Sequence, residues 1–301
     1  MSAPGSRGVV LSRRTMLGAL GASVLLGACG TRESLPASAD GDTPRVVTMV
    51  PALLDAALAV GTVPVLAAVV GSTAPAHLDG RADQVELMNG MLGVDVERVV
   101  GARPDLILTQ AGEENEAERL GRVARTVEIV VPEPAGRWKD YVGSVAEALD
   151  GAEGLAAAQA EHARRVEAAR PALAALRGTC SVLQVSADGV RSYGPDSFAG
   201  SLLREAGATM TAAPDGADWN SDGYLDVSRE QLAAVAGDTV FLMVRVAEGE
   251  DDSEARRDPL WNRLDAVAQG RAHVVDRGTW VHRGYFSAAH VLDEASRLAQ
   301  D

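Results

Sequence analysis

Apolar runs alternate with helical segments in two successive series, and this alternation restricts the fold more than any other feature of the chain. The strands of the first series are "RVVTMV" (45–50), "VLAAVVG" (65–71), Leu106–Leu108 and "RTVEIVV", with a helix in "ALLDAALAVG" after the first. The second series has strands in "CSVLQVS", "DTVFLMV" and "RAHVVD", and helices in "SFAGSLLREAGA" and "SREQLAAVAG". Strands read as continuous apolar runs when helices cover both faces of a parallel sheet. The pattern therefore predicts an α/β fold with a mostly parallel sheet in each series.

A segment without strand signals, Trp138–Arg177, separates the two series. Within it, "LAAAQAEHARRVEAARPALAALR" predicts one long helix. The apolar stripe of this helix consists of Val166, Ala169, Leu173 and Leu176. Pro171 removes the amide that would bond to residue 167, so we expect a bend there. The predicted fold class is two Rossmann-like α/β lobes joined by one long α-helix.

The N-terminus is typical of an export signal. Arg7, Arg13 and Arg14 form a positive region, and the apolar run of residues 16–28 is too short to span a bilayer comfortably. The run ends in "LGAC", which resembles the bacterial lipobox, where the signal peptide is cut before a cysteine that carries the lipid. We therefore predict a signal peptide over residues 1–28 and a lipidated Cys29, with an uncleaved membrane anchor as the alternative. "SRRTML" resembles a twin-arginine signal, and an arginine-rich Sec signal is its alternative.

Composition sets further limits. The polar stretch at 29–43 predicts a flexible tether, with the folded part starting at Pro44. Apolar residues make up 47% of the 301 residues, which excludes a disordered chain. The formal charge of −14 argues against a nucleic-acid partner, because a phosphate backbone would be repelled. Cys180 is expected to be a small apolar residue at a strand start rather than a reactive thiol.

Several segments match one family in order and spacing. They are "PRVVTMVPALLDAALAVG", "GARPDLILT", "SYGPDSFAGSLLREAGA", "VSREQLAAVAGDTVFLMV" and "DPLWNRLDAVAQGRAHVVDRGTW". Together they resemble the iron-siderophore and cobalamin class of periplasmic substrate-binding proteins, the receptors of ABC importers. The resemblance implies an N-terminal lobe (44–137), an interlobe helical segment (138–177) and a C-terminal lobe (178–301), with a ligand cleft between the lobes. It also implies little closure, no enzymatic activity and a monomer that delivers its ligand to a permease dimer.

The same resemblance assigns an acidic residue on each lobe to the permease. The matching positions are Asp55, where the family more often has Glu, and Glu230 in "SREQ". A carboxylate–guanidinium contact with permease arginines needs that chemistry at both ends. The alternative is two solvated carboxylates at helix N-termini, where the helix dipole favours negative charge.

The stretch "DWNSDGYLDVSRE" (218–230) superficially matches a calcium loop. An EF-hand needs a bidentate Glu at position twelve, and that position is Arg229, with Glu230 one residue too late. We therefore predict a polar loop that leads to Ser228, the N-cap of the helix carrying Glu230.

Ligands of α/β lobes meet the loops at the carboxyl ends of strands. Those loops supply six ligand-binding candidates, Thr73, Arg81, Tyr193, Arg245, Trp280 and Tyr285. Arginines suit anionic chelates, and aromatic rings suit a bulky flat ligand. For each candidate, a surface arginine or a core aromatic residue is the alternative. The histidines are dispersed, so no direct metal site is expected.

These observations predict a lipid-anchored protein on the extracytoplasmic face of the cell membrane that binds a ferric siderophore. The siderophore would supply the iron ligands, and no intrinsic cofactor is expected. Cobalamin or haem in the same fold is the alternative. A secreted enzyme or a calcium-binding lipoprotein is a more distant one. The acidic insertion at 248–258 is expected to be a solvated loop.

Overall fold

The computed structural model describes residues 43–112, 116–186, 188–246 and 249–300, which belong to one compact unit. The predicted signal peptide, Cys29 and almost all of the tether lie outside the described residues. Within those ranges, no helix combines the length and apolarity needed to cross a membrane.

The first lobe is built on a five-stranded parallel sheet in the order β3-β2-β1-β4-β5. Its strands are β1 (Val46–Thr48), β2 (Leu66–Val69), β3 (Glu86–Asn89), β4 (Leu106–Gln110) and β5 (Arg125–Ile129). Its helices are α1 (Pro51–Ala59), α2 (Val96–Gly101) and α3 (Glu116–Gly121). The central strand pairs Val47 with Leu66 on one side and with Ile107 on the other, and all three are fully buried, as their apolar runs predict.

Two helices follow the first sheet, α4 (Trp138–Ala148) and α5 (Ala152–Leu173). The predicted stripe is correct for α5, since Val166, Ala169 and Leu173 are buried. Pro171 lies in the last turn, and the helix ends two residues later. The turn between the helices is close to α1, because Gly151 and Gly154 both lie against Val60.

The second lobe has a mixed sheet in the order β10-β9-β6-β7-β8. Its strands are β6 (Cys180–Ser186), β7 (Gly189–Tyr193), β8 (Tyr224–Val227), β9 (Thr239–Val244) and β10 (Ala272–Asp276). Its helices are α6 (Phe198–Glu205), α7 (Leu232–Val235), α8 (Ser253–Arg257), α9 (Asp265–Ala268), α10 (Arg277–Trp280) and α11 (Tyr285–Leu298). β7 is antiparallel to both of its neighbours, so β8 runs in the same direction as β6, β9 and β10.

One hydrophobic core extends through both lobes. It contains Val46 and Leu53 of the first lobe, Trp138 of α4, and Phe241 and Met243 of the second sheet, all nearly or fully buried. Helices α5 and α11 pack against each other within it. Each large apolar side chain that stays buried contributes about 1.5–3 kcal/mol, so separating the lobes would be costly. The lobes are therefore joined by packing as well as by a covalent link.

The α/β fold class is confirmed, and the structure adds elements that the sequence patterns do not show. The hairpin strand β7 carries alternating polar residues, and β8 lies inside the polar stretch at 218–230. The edge strand β3 is short and half polar, and α11 follows a loop without a strong helix signal. The three strands lack the continuous apolar run that marks a strand buried on both faces.

Candidate functional site

The carboxyl-terminal strand ends define one edge of each sheet. On the first sheet, the exposed side chains Val70, Met91 and Val130 directly follow β2, β3 and β5 or lie in the first turn after them. On the second sheet, Val246 follows β9 and is also exposed. Exposed large apolar side chains clustered at strand ends are typical of a binding surface. The sequence analysis did not name these four residues as ligand contacts, although each lies within two residues of the end of an observed strand.

Two of the predicted ligand contacts lie on the loop after β2. Thr73 and Arg81 are both exposed. The Arg81 guanidinium lies over the ring of Phe286 at 4.6 Å, and Nη1 donates to the carbonyl of Leu78 at 3.1 Å. This loop therefore contacts α11 of the second lobe, and Arg81 belongs to the lobe junction.

Arg245 lies at the carboxyl-terminal edge of the second sheet, as predicted. Its Nε donates to Glu250 Oε1 at 2.7 Å, and this hydrogen bond lowers the pKa of Glu250. Arg245 follows Phe241 and Met243 at alternate positions, so it lies on the sheet face that carries the shared core. The side chain remains partly exposed.

Tyr193 lies at the opposite edge of the sheet from the one predicted. The preceding strand β6 is followed by a hairpin, and Tyr193 ends the antiparallel strand β7 opposite Val182. It is 8% exposed and belongs to the shared core, with its hydroxyl 3.4 Å from Gln184 Oε1. The prediction that it faces a ligand at a carboxyl-terminal edge is therefore not supported by the strand direction.

Trp280 and Tyr285 are core residues. Trp280 is 1% exposed, packs on Phe241 and donates its indole N–H to Glu294 at 2.7 Å. Tyr285 packs edge-on against Trp138, and burial raises the pKa of its hydroxyl to about 12. For Trp280 the structure bears out the alternative of a core aromatic residue, because α10 directs it inward after β10.

An arginine–tyrosine stack on β7 and β8 was missed by the sequence analysis. The Arg191 guanidinium lies 3.8 Å from the ring centre of Tyr224, and Asp226 accepts bonds from Nε and Nη2 at 2.7 and 2.8 Å. Hydrogen bonding to Asp226 raises the pKa of Arg191. Arg191 shares a sheet face with Tyr193, and that face belongs to the shared core. Because Tyr224 pairs with Tyr193, the stack extends towards the amino-terminal edge of the second sheet.

Asp55 is not on the surface, so its predicted exposure to a permease is wrong in this structure. Its side chain is completely buried and accepts hydrogen bonds from the backbone N–H groups of Phe286 and Ser287 at 3.2 and 2.9 Å. The reason is tertiary, since the N-terminus of α11 comes from the other lobe and takes up the carboxylate.

Glu230 is exposed, as predicted, in the first turn after β8, and Ser228 is confirmed as the N-cap residue. The pKa of Glu230 is lowered because its carboxylate accepts hydrogen bonds from its own backbone N–H and from the Ser228 hydroxyl. On the first lobe, Glu97 is exposed in the first turn of α2, the helix that follows β3. Both carboxylates therefore stand at helix starts on the carboxyl-terminal side of a sheet.

Two acidic residues of the stretch at 218–230 bind arginines elsewhere in the second lobe. Asp222 accepts from Arg283 at 3.2 Å and Asp226 pairs with Arg191, while the Asn220 side chain accepts from the Tyr224 N–H. In the described part of the chain, no three His, Cys, Asp or Glu side chains are placed to hold a metal ion. The segment serves as a strand and its approach loop.

A cavity of about 640 Å³ lies where α5, α11 and the loop after β2 meet. It is lined by small apolar residues such as Ala158 and Ala289 and by the charged residues Arg81, Arg165 and Asp293. Of the predicted ligand contacts, only Arg81 and Tyr285 line it. The six candidates are therefore divided among this cavity, the sheet edges and the core.

The chain belongs to the periplasmic binding protein family, whose model matches residues 46–277. This class was expected from the sequence motifs. A probable siderophore-binding lipoprotein of Bacillus subtilis strain 168, YfiY, is 27% identical over 88% of this chain and 83% of its own length. The Fe(3+)-citrate-binding protein YfmC of the same strain is 28% identical over 62% of this chain, which spans only 58% of that relative.

Solved structures show the same fold. A periplasmic binding protein of the FhuD fold family from Bacillus subtilis superposes with a TM-score of 0.73 at 20% identity, covering 88% of this chain and 99% of that one. Staphylococcus aureus SirA, solved with staphyloferrin B, gives 0.67 at 21% identity, covering 86% and 94%. Identities this low establish the architecture alone.

Proposed function

We propose that this chain is the lipid-anchored substrate-binding protein of an ABC importer, and that it captures a ferric siderophore between its two lobes. Membership of the periplasmic binding protein family over residues 46–277 is the observation that carries the proposal. The ligand class is supported by relatives such as YfiY, a probable siderophore-binding lipoprotein, and YfmC, an Fe(3+)-citrate-binding protein.

The site that we propose lies between the carboxyl-terminal edges of the two sheets. Met91 and Val70 on the first lobe, and Val246 on the second, offer apolar contacts to a chelate. Thr73 and Arg245 stand among them, and Arg245 supplies a cation. A guanidinium group binds an anionic chelate through bidentate hydrogen bonds. The ligand would replace Glu250, the present partner of Arg245.

Fluorescence titration tests the ligand class. Ferric citrate, a ferric hydroxamate and a ferric catecholate would each be added to the full-length protein, and we expect saturable quenching by at least one of them. Trp219 is the partly exposed tryptophan and packs against Gly194, next to Tyr193. Haem and cobalamin would be titrated separately through their visible bands. Binding of either one with no response to any ferric chelate would contradict the proposal.

The arginines provide the matched comparison. Arg245→Ala is expected to weaken binding at least tenfold, because it removes a charge-assisted contact of the kind that contributes about 1.5–3 kcal/mol. Arg164→Ala is the control, since this side chain lies on the exposed face of α5 and pairs with Glu161. Equal affinities of the two variants would exclude the Arg245 contact while leaving the ligand class open.

For the permease, we propose Glu97 and Glu230 as the two contacting carboxylates, with Glu97 in place of the buried Asp55. Both are exposed at the carboxyl-terminal sides of their sheets. Glu97→Arg and Glu230→Arg are expected to abolish stimulation of the permease ATPase while leaving ligand quenching unchanged. Glu153→Arg is the control, because Glu153 is exposed in the first turn of α5, away from either sheet edge. A loss of stimulation in all three would indicate a general charge effect.

The anchor is proposed to be a lipid on Cys29, which places the protein on the extracytoplasmic face of the cell membrane. Cys29→Ser is expected to release the protein from the membrane fraction, since the lobes themselves hold no spanning helix in the described ranges. Retention of the variant in the membrane would favour an uncleaved N-terminal segment.

A further inference from the structure

A carboxylate of the first lobe holds the last helix of the second lobe. Asp55 projects from α1 and accepts hydrogen bonds from the N–H groups of Phe286 and Ser287, two donors in the first turn of the 14-residue helix α11. The first turn of α11 has no acidic residue of its own, and its N-cap residue Gly284 offers no side chain. A helix N-terminus that lacks a local cap needs an acceptor from elsewhere, and here the acceptor crosses the lobe junction.

The fit around Asp55 is close. A Cβ atom on Gly284 would lie 2.1 Å from Asp55 Cγ and 2.2 Å from Oδ1, distances that no real Cβ shows. Gly284 has an extended backbone (φ −164°), so its absence of a side chain is explained by space rather than by conformation. The backbone of one lobe is thus shaped around a carboxylate of the other.

Two histidines close the junction around this carboxylate. His77 Nε2, from the loop after β2, lies 3.3 Å from Asp55 Oδ2, and both side chains are fully buried. His282, from the loop before α11, lies with its ring centre 5.7 Å from that of His77. Its Nδ1 is buried without a hydrogen-bond partner among the described residues. The charged groups facing His282 are Asp55 and Asp276, which favour its protonation, and Arg277, which opposes it together with His77.

We propose that Asp55, His77 and His282 are positioning residues that hold the two lobes in one relative orientation, and that this interlobe latch loosens on acidification. Asp55 and His77 belong to the first lobe, whereas His282 and α11 belong to the second. A relative movement of the lobes would therefore break the hydrogen bonds from Phe286 and Ser287 to Asp55. The proposal concerns the unliganded protein and does not depend on the ligand.

The direction of the pH effect follows from His282. Burial, and secondarily the neighbouring His77, lowers its pKa from 6.5 to about 4. A histidine kept neutral in the closed junction binds a proton more readily once the junction opens. The latch is therefore at full strength above about pH 6.5 and weakens as the pH falls towards 4. At pH 5 the open form would gain by up to about 30-fold, if opening restores the ordinary pKa of His282.

Hydrogen exchange of the full-length protein without ligand tests the latch. The protection of the amides at Phe286 and Ser287 would be compared with that of strand β9, after correction for intrinsic rates, at pH 7 and pH 5. We expect the relative protection to fall at least threefold at pH 5. His282→Gln should remove this fall, because glutamine does not titrate. His290→Gln is the matched control, since His290 is an exposed histidine of α11. The fall in protection of this variant should equal that of the wild type.

Asp55→Asn keeps an oxygen acceptor but loses the charge, and is expected to lower the protection already at pH 7. Constant protection of the wild type between pH 7 and pH 5 would overturn the proposal. So would an unchanged fall in His282→Gln. Because no ligand is present, failure here would leave the proposed import function untouched, and failure of ligand binding would leave the latch untouched.

Discussion

At the scale of single residues, the surroundings of a carboxylate decide what it does. Asp55 and Glu230 were both predicted from the sequence to contact the permease, yet one is fully buried and the other is exposed. Asp55 meets the free N–H groups of a helix from the other lobe, whereas Glu230 meets its own backbone and Ser228. The residue type fixes the charge, and the neighbouring backbone determines whether it serves packing or recognition.

A double-mutant cycle tests the fit of Asp55 against Gly284. Gly284→Ala should destabilise the wild type strongly, because the added methyl group overlaps the carboxylate. In an Asp55→Ala background the same change should cost far less, giving a coupling of about 1–3 kcal/mol. Urea unfolding of the four proteins measures it. Additive effects would mean that the two side chains do not share this space.

Glu205 makes a second pH-dependent contact. Its carboxylate accepts from His162 and from Lys139, which lower its pKa to about 2. A group with a depressed pKa stabilises the fold above its ordinary pKa of 4.5 and loses this contribution as the pH falls towards 2. Glu205→Gln should lower the free energy of unfolding at pH 7 by less than about 1 kcal/mol, since the pair is partly exposed. Thermal unfolding of both proteins measures the change. The difference from the wild type should vanish near pH 2.

At the scale of elements, α5 depends on glycine where it starts. A Cβ on Gly154 would lie 2.2 Å from the carbonyl oxygen of Val60, so α5 and the end of α1 approach backbone to backbone. The apolar stripe was readable from the sequence because its spacing repeats every three or four residues. The close contact was not, because it depends on which helix lies opposite.

Two glycine substitutions separate the effect of the close backbone contact from that of helix propensity. Gly154→Ala should destabilise the protein by about 1–3 kcal/mol, since backbone atoms must shift. Gly143→Ala, in α4, has no atom within 4 Å of the new methyl group and should stabilise by about 0.5–1 kcal/mol through helix propensity. Chemical denaturation measures both changes. Stabilisation by Gly154→Ala would show that the helices separate easily at this point.

At the scale of the whole molecule, the shared core makes the lobes one cooperative unit. Val46 and Phe241 belong to sheets of different lobes but to the same cluster, together with Trp138 of α4. Folding units separate in denaturant only when few contacts cross between them. A stiff junction of this kind also agrees with small closure around a ligand.

Unfolding in urea should therefore show one transition. Far-ultraviolet circular dichroism and tryptophan fluorescence should give coincident midpoints, because Trp138 reports on the junction and Trp261 on the outer core of the second lobe. Two separate midpoints would contradict a shared core and would also weaken the argument for the latch.

The sequence by itself determined the α/β class, the long interlobe helix and the strands with continuous apolar runs. Short-range sequence patterns suffice there, since the apolar stripe of a helix and the apolar run of a strand buried on both faces are each encoded by neighbouring residues. It did not reveal β8 inside a polar stretch, the inward direction of Trp280 or the position of Tyr193 at the far sheet edge. Strand direction after a hairpin, and the partner that a side chain meets, depend on residues far along the chain. Only the tertiary structure decided that Asp55 caps a helix of the other lobe, because that helix begins more than two hundred residues later.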